Sequence, residues 1–151
     1  MLRTEIAAPA NLRRIIARLA QTHDAVPGLV RQAVIGSGFS IQEHAREIVP
    51  TATGKLAASI QPTPLDGGMA VVVGSSLAYA PVQEFSENLQ HWPPRVPRHE
   101  ISRGINKGRL SAPVNTNPKA TWGFLRKSLA YEVKPFREKL LAIVRRFKGA
   151  A

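Results

Sequence analysis

The sequence predicts an α+β fold: a small antiparallel β-sheet flanked by a long helix from the N-terminal half and a C-terminal helix, with a long proline-rich arm or loop. Apolar residues recur with the period of a helix before residue 50 and again after residue 120. Between residues 56 and 73 the period changes to two, which is typical of strands. Residues 86–120 carry five prolines and no clear period, which indicates extended chain. We expect a single domain over residues 1–151, because a chain of this length can bury its own core.

The first predicted helix lies in an N-terminal helical segment, residues 1–24, and covers roughly residues 10–22. Its apolar residues follow i, i+3, i+4 and i+7 spacing, with arginines between them. Such a pattern places one apolar stripe against a core and leaves the arginines at the surface. The stripe consists of Leu12, Ile15, Ile16 and Leu19.

A second helix is predicted from Pro27, which suits a first helical turn, to about Val49, where Pro50 ends it. Gly36 and Gly38 lie inside this helix, and each costs about 1 kcal/mol relative to alanine. The helix is therefore either broken near Ser37 or closely packed against a neighbour there.

A hairpin is predicted next. Residues 56–60 alternate as in a strand, with Leu56 and Ile60 toward the core and Ser59 on the other side. Asp66-Gly67-Gly68 suits a tight turn, because these residues accept positive φ, and residues 69–73 form the returning strand. Pro62 and Pro64 cannot donate to a ladder, so their strand lies at an edge. Two strands alone are marginal, so the hairpin must pair or pack with something else.

The last segment is predicted to be a helix with one apolar stripe from Leu125 to Phe147 and basic residues around it. Thr121 suits its N-cap. Pro135 clashes with the carbonyl four residues earlier, so we expect a kink or a restart near residues 131–134.

The formal net charge of +11 is unevenly distributed. Residues 1–94 hold seven basic and seven acidic groups, whereas residues 95–151 hold fourteen basic and three acidic ones. This asymmetry indicates an acidic protein partner or nearby nucleic acid, or else a basic surface that only keeps the protein in solution. The sequence has no cysteine and no apolar run of transmembrane length, so we expect no disulfide and no membrane partner.

Catalytic patterns are weak, and we expect a protein that is not an enzyme and has no cofactor or metal. The four histidines lack metal-ligand spacing. Ser37 lies between glycines but has no strand before it, as a nucleophile elbow requires. Residues 73–76 lack the lysine of a phosphate-binding loop.

Nucleic-acid binding has a stronger basis in the predicted arm. His91 and Trp92 precede a series of cations, a mixture found in proteins that bind single strands. No sequence-specific motif accompanies them, so only weak, salt-sensitive contact with phosphates is expected. The cations that we expect to dock on a partner or to face DNA are Arg95, Arg98, Arg103, Lys107 and Arg109.

Three short blocks occur in order along the chain: residues 53–60, residues 73–76 with 79–85, and residues 124–129. Together they resemble a phage morphogenesis family labelled "putative tail component". The members of that family are head–tail joining or tail-completion proteins of long-tailed phages and prophages. The resemblance covers roughly residues 25–145, and the order and spacing of the blocks carry it. Residues 91–94, His-Trp-Pro-Pro, also resemble a segment of some members. Ser86-Glu87 and Gly123 depart from the family's Gly-Thr and Pro at those places. The motif residues are Thr53, Gly54, Leu56, Ser59 and Ile60, then Gly74, Tyr79, Ala80, Glu84 and Phe85, then Phe124 and Leu125.

The resemblance implies a structural virion protein of the neck or tail, present in the host cytoplasm during assembly. It would join or complete the tail at its head-proximal end as a homo-oligomer, a hexameric ring. Its partners would be other neck, connector and tail-tube proteins, with transient contact to packaged DNA. Tyr79 and Phe85 would anchor their segment beneath the last helix. Two alternatives stay open, a tail terminator of the same ring and a non-specific nucleic-acid-binding protein.

Overall fold

The α+β class is confirmed by the computed structural model, which describes residues 1–85 and 117–148. Three antiparallel strands form one sheet in the order β1-β3-β2, and two long helices, α2 and α5, cover it. The elements are β1 (Leu2–Ala7), α1 (Ala10–Thr22), α2 (Ala25–Ile48), α3 (Lys55–Ser59), β2 (Gln61–Leu65), β3 (Ala70–Ser75), α4 (Ala80–Phe85) and α5 (Phe124–Lys148).

The first strand, β1, corrects the expectation that residues 1–24 are helical. It pairs with β3 over its whole length, from Leu2 opposite Ser75 to Ala7 opposite Ala70. Leu2 and Ile6 are buried, whereas Arg3 is exposed. Leu2, Thr4 and Ile6 alternate with Arg3 and Glu5, a period of two that the helical expectation for this segment overlooked. β1 provides the third strand that the hairpin needs, because two strands alone are marginal.

Residues 55–59 form the short helix α3, so the strand predicted there is wrong. Leu56 and Ile60 are buried, as expected, but a spacing of four residues suits a helix face as well as a strand face. Gly54, at φ 76°, lets the chain turn into this helix, and its carbonyl accepts from the Ala58 amide at 3.0 Å. The strand begins only at Gln61.

The rest of the hairpin is confirmed. β2 is an edge strand, as Pro62 and Pro64 require, and it pairs only with β3. Residues 66–68 form the turn, with positive φ at Asp66, Gly67 and Gly68.

Helix α2 is unbroken through Gly36 and Gly38, and close packing explains one of them. A Cβ built on Gly38 would lie 2.8 Å from both methyl carbons of Val71, a fully buried residue of the central strand β3. The missing side chain therefore lets α2 lie directly on the sheet. Gly36 is exposed and would meet nothing within 4 Å.

We expect Gly38→Ala and Gly36→Ala to have effects of opposite sign on the free energy of unfolding. Gly38→Ala should lower it by about 1–2 kcal/mol, because the stiff Val71 side chain cannot give way cheaply. Gly36→Ala should raise it by about 0.5–1 kcal/mol through helix propensity alone. Urea denaturation followed by circular dichroism measures both. If Val71→Ala fails to relieve part of the cost of Gly38→Ala in the double variant, the contact is not its cause.

Helix α5 continues without a break from Phe124 to Lys148 through Pro135, so the helix does not restart near residues 131–134. Pro135 and Tyr131 both lie on the exposed side, where water can satisfy the carbonyl that loses its donor. The buried side of α5 is a stripe at four-residue spacing that contacts α2, β1 and α1. None of the described helices is both long and apolar enough to cross a membrane.

Candidate functional site

The three sequence blocks, which are separated in the chain, are neighbours in the fold. The first block contributes Thr53, Gly54 and Leu56, and the second contributes Tyr79. Side chains of both line one surface cleft, so the chain segments before α3 and before α4 are neighbours in space. The cleft is lined by Pro50, Ala52, Thr53, Gly54, Lys55, Leu56, Tyr79 and Gln83.

The first block is also joined to the end of β3. The Ser59 hydroxyl donates to the Leu56 carbonyl at 2.7 Å, so the buried Ser75 hydroxyl is the donor in the 2.7 Å bond between the two serines. Ser75 Oγ in turn accepts from the Leu77 amide at 3.2 Å. Beside Ser75, Gly74 lies so close to β1 that a Cβ there would be 2.2 Å from the Leu2 carbonyl oxygen. Two motif residues, Ser59 and Gly74, thus fix the position of β3 against its neighbours.

Glu84 joins the second block to the third. Its side chain is 1% exposed, and its two carboxylate oxygens accept from the backbone amides of Leu125 and Arg126, both at 2.9 Å. These amides belong to the first turn of α5, where no intrahelical acceptor exists. The Arg126 guanidinium adds a contact of 3.3 Å from Nε and a hydrogen bond to the Glu84 carbonyl. The Glu84 side chain therefore caps the N-terminus of α5, although it belongs to a distant part of the chain.

Thr121 does not cap α5, so that prediction is wrong. The helix begins two residues later than a Thr121 cap would place it, and Gly123, at φ 66°, accepts the first helical bond from the Lys127 amide at 2.8 Å. Thr121 instead donates its amide to the Ile48 carbonyl at 2.9 Å, at the end of α2.

The expectation that Tyr79 and Phe85 anchor their segment beneath the last helix is wrong. Their side chains are 44% and 62% exposed, and Val82 beside them is 54% exposed. The buried face of α4 is formed by Ala80 and Glu84, four residues apart, so the side chains between and beyond them point outward. The Arg126 guanidinium lies 5.6 Å from the centre of the Phe85 ring. These exposed residues make an apolar patch, which we call the α4 patch (Tyr79, Val82 and Phe85).

Residues 117–121 close the other helix end. The Asn117 side-chain amide donates to the carbonyls of Glu47 and Val49, both at 2.8 Å. Lys119 forms an ion pair with Glu47 at the surface, and this hydrogen bond and charge hold the pKa of Glu47 below its ordinary value. Residues 117–120 were expected to belong to the arm, but they are bound to the C-terminus of α2. The docking cations Arg95, Arg98, Arg103, Lys107 and Arg109 lie outside the described residues.

The α2–α5 interface contains the residues considered above for catalysis. Ser37 is buried in mid-helix and accepts from Lys139 Nζ at 3.1 Å, and Lys139 also pairs with the buried Glu132 at 2.6 Å. His44 stacks on Tyr131 with ring centres 4.4 Å apart and bonds Ser128 at 2.9 Å. Within the described ranges, no group of three or more His, Cys, Asp or Glu residues is placed to hold a metal. These contacts hold the two long helices together.

Hydrogen bonds fix the chain around the ends of α2 and α5, and we call this part of the surface the platform (Ser59, Ser75, Glu84 and Asn117). The chain leaves the described core at Phe85, next to the cap of α5, and returns at Asn117, which caps α2. Sequence reasoning missed Asn117, although an asparagine before Pro118 is a common turn signal. The arrangement fixes the ends of α2 and α5 beside each other's chain neighbours. Comparisons with protein-family models, with curated proteins and with solved structures found no match to this chain.

Proposed function

We propose that the protein is a structural component of a phage particle, joining or completing the tail at its head-proximal end within an oligomeric ring. The observation that carries this proposal is that the three resembling blocks are joined to one another in the fold. The resemblance rests on the order and spacing of short blocks. Ser59 and Ser75 join the first block to the second, and Glu84 joins the second block to the third, so the three blocks have a physical reason to occur together.

The platform suits an assembly role for two reasons. Its caps fix Glu84 and Asn117, which lie just outside the segment that carries the docking cations Arg95, Arg98 and Arg103, so that segment begins and ends beside fixed residues. The α4 patch beside it is apolar, and exposed aromatic residues of this kind are common at the centres of protein interfaces. Ring interfaces are heterologous, so the patch would fit a different surface of the neighbouring subunit.

We expect charge reversal at Arg95, Arg98 and Arg103, made in the genome that encodes the protein, to leave separate heads and tails. The reason is loss of attraction to acidic neck subunits or to DNA in the channel. Electron microscopy of lysates measures the joined fraction, and circular dichroism of the purified variant checks that it still folds. The matched control reverses Arg3, Arg31 and Arg146, three exposed cations outside the surface cleft and outside the segment of the docking cations. Normal numbers of infectious particles from the first variant would overturn the proposal.

The same experiment distinguishes the related role. Tails of irregular length, with heads attached or not, would assign the protein to tail termination, because a terminator stops growth of the tube. A second candidate, favoured by the basic excess in residues 95–151, is a free non-specific nucleic-acid-binding protein. It requires duplex or single-stranded DNA to bind the isolated protein with micromolar affinity that falls steeply with salt. A flat gel-shift titration at low salt removes it.

A further inference from the structure

The fold brings α1 and α5 together and forms a groove between them. The ring of His23, just after α1, lies 5.0 Å from that of Phe147 near the end of α5, so the two helices run side by side in the same sense. Nothing in the sequence pairs these helices, which are separated by more than a hundred residues. The groove is lined by Pro9, Asn11, Leu12, Ile15, Arg137 and Leu141.

Exposed cations flank this groove: Arg137 lines it, and the others share helical stripes with its lining residues. On α1, Arg14 and Arg18 share a stripe with the groove residues Asn11 and Ile15, at i, i+3, i+4 and i+7 spacing, and α1 contains no acidic residue. On α5, the stripe through Arg137 and Leu141 includes Glu138 as its one carboxylate. The other members of that stripe are Lys134, Arg145 and Lys148, all exposed.

These cations differ from the described cations that pair with a carboxylate. Lys119, Arg126 and Lys139 are each paired with a glutamate. In residues 1–85 and 117–148, Arg14, Arg18, Arg137 and Arg145 form no ion pair with a carboxylate. Unpaired charges of one sign on both rims sum their potentials over the groove and favour an anionic partner.

The floor of the groove identifies the kind of anionic partner. Leu12 is buried, Leu141 is half-buried and Ile15 is 39% exposed, so the floor is apolar. A phosphate backbone would gain nothing from covering these side chains. An amphipathic helix would bury them with its apolar stripe and would place carboxylates against both rims.

We propose that the α1–α5 groove is a docking surface for an acidic amphipathic helix of a partner protein. The proposal does not depend on the phage function, because it rests only on the charges and the apolar floor of this groove. Residues 1–94 carry no net charge, but their charges are not evenly distributed in the fold. Arg14 and Arg18 lie on α1, which contains no carboxylate and packs against the basic helix α5.

The test uses the full chain and a fluorescent synthetic peptide of about 18 residues, five helical turns, with leucines on one helical face and glutamates on the other. A peptide of the same composition with scrambled order is the control. At physiological ionic strength, fluorescence anisotropy should give a Kd at least about tenfold lower for the amphipathic peptide than for the scrambled one. Arg14→Glu with Arg137→Glu should weaken that binding by about tenfold or more.

Ile15→Ser separates a protein partner from a nucleic acid. It should weaken peptide binding by about fivefold, from lost apolar burial, and should leave binding of a duplex of about 20 base pairs unchanged. Arg3→Glu with Lys55→Glu changes the net charge equally at distant exposed positions and should weaken peptide binding far less. Circular dichroism confirms that each variant is folded. Equal affinity for the scrambled peptide, or no effect of Ile15→Ser on peptide binding, would overturn the proposal.

Discussion

Replacing Glu84 with alanine is expected to lower the free energy of unfolding by about 3–4 kcal/mol. The substitution removes both acceptors of the amides of Leu125 and Arg126, and the first of these bonds is fully buried. Each buried donor left without a partner costs about 1–3 kcal/mol. The Arg126 guanidinium also loses its carboxylate partner. Urea denaturation followed by circular dichroism gives the change in free energy.

Two further variants show whether the cap is the cause of this loss. Glu84→Gln keeps the shape and one acceptor oxygen, so it should cost about half as much as Glu84→Ala. Glu43→Gln removes an exposed carboxylate from α2 and should change stability by less than about 0.5 kcal/mol. An unfolding free energy for Glu84→Ala within about 1 kcal/mol of the native protein would contradict the assignment of Glu84 as a tertiary cap. In Glu84→Ala, hydrogen exchange relative to the native protein should become faster in the first turn of α5 than in its last turn.

Gly74→Ala is expected to detach β1 from the sheet and to cost about 3 kcal/mol or more. The added Cβ would lie 2.2 Å from the Leu2 carbonyl oxygen and 3.1 Å from the Arg3 Cα, which are backbone atoms and cannot move without the strand. Displacing β1 would expose the buried side chains of Leu2 and Ile6. Denaturation measures the cost, and hydrogen exchange of the β1 amides locates it.

Gly28→Ala is the matched control for Gly74→Ala. A Cβ at Gly28 would meet nothing within 4 Å, and the residue lies in the first turns of α2. Its replacement should leave stability unchanged or slightly higher, as helix propensity predicts. If Gly74→Ala retained the hydrogen-exchange protection of β1, the close approach of β1 and β3 would not require glycine.

The correct predictions from sequence share a local cause. Pro62 and Pro64 place β2 at an edge because a missing N–H excludes a central position in any fold. The turn at residues 66–68 follows from the positive φ that Asp66, Gly67 and Gly68 accept. Pro27 and Pro50 bracket α2 for equally local reasons. In each case the neighbouring residues in the chain supply the constraint.

The wrong predictions share a different cause, because each concerned a position where local rules allow two outcomes. Leu56 and Ile60 fit a helix face and a strand face equally well, and packing against the core selects the helix. Thr121 suits an N-cap by residue type, but the helix begins at Phe124, and Glu84 caps its first turn by accepting from the Leu125 amide, 41 residues away in the chain. Tyr79 and Phe85 are large and apolar, yet burial of Glu84 turns α4 so that both face outward.

The candidate surfaces divide in the same way. Residue types and short-range geometry are sufficient to establish the α+β class, the edge strand and the turn. They also establish that the last segment is helical and basic. They do not establish which distant segments share a surface, because that depends on contacts made only in the folded chain. The bonds of Glu84 to the first turn of α5, and the meeting of Ile15 and Arg137 in one groove, are contacts of this kind. The basic charge of this protein is visible in its composition, but its extension onto α1 is a property of the packing of α1 against α5.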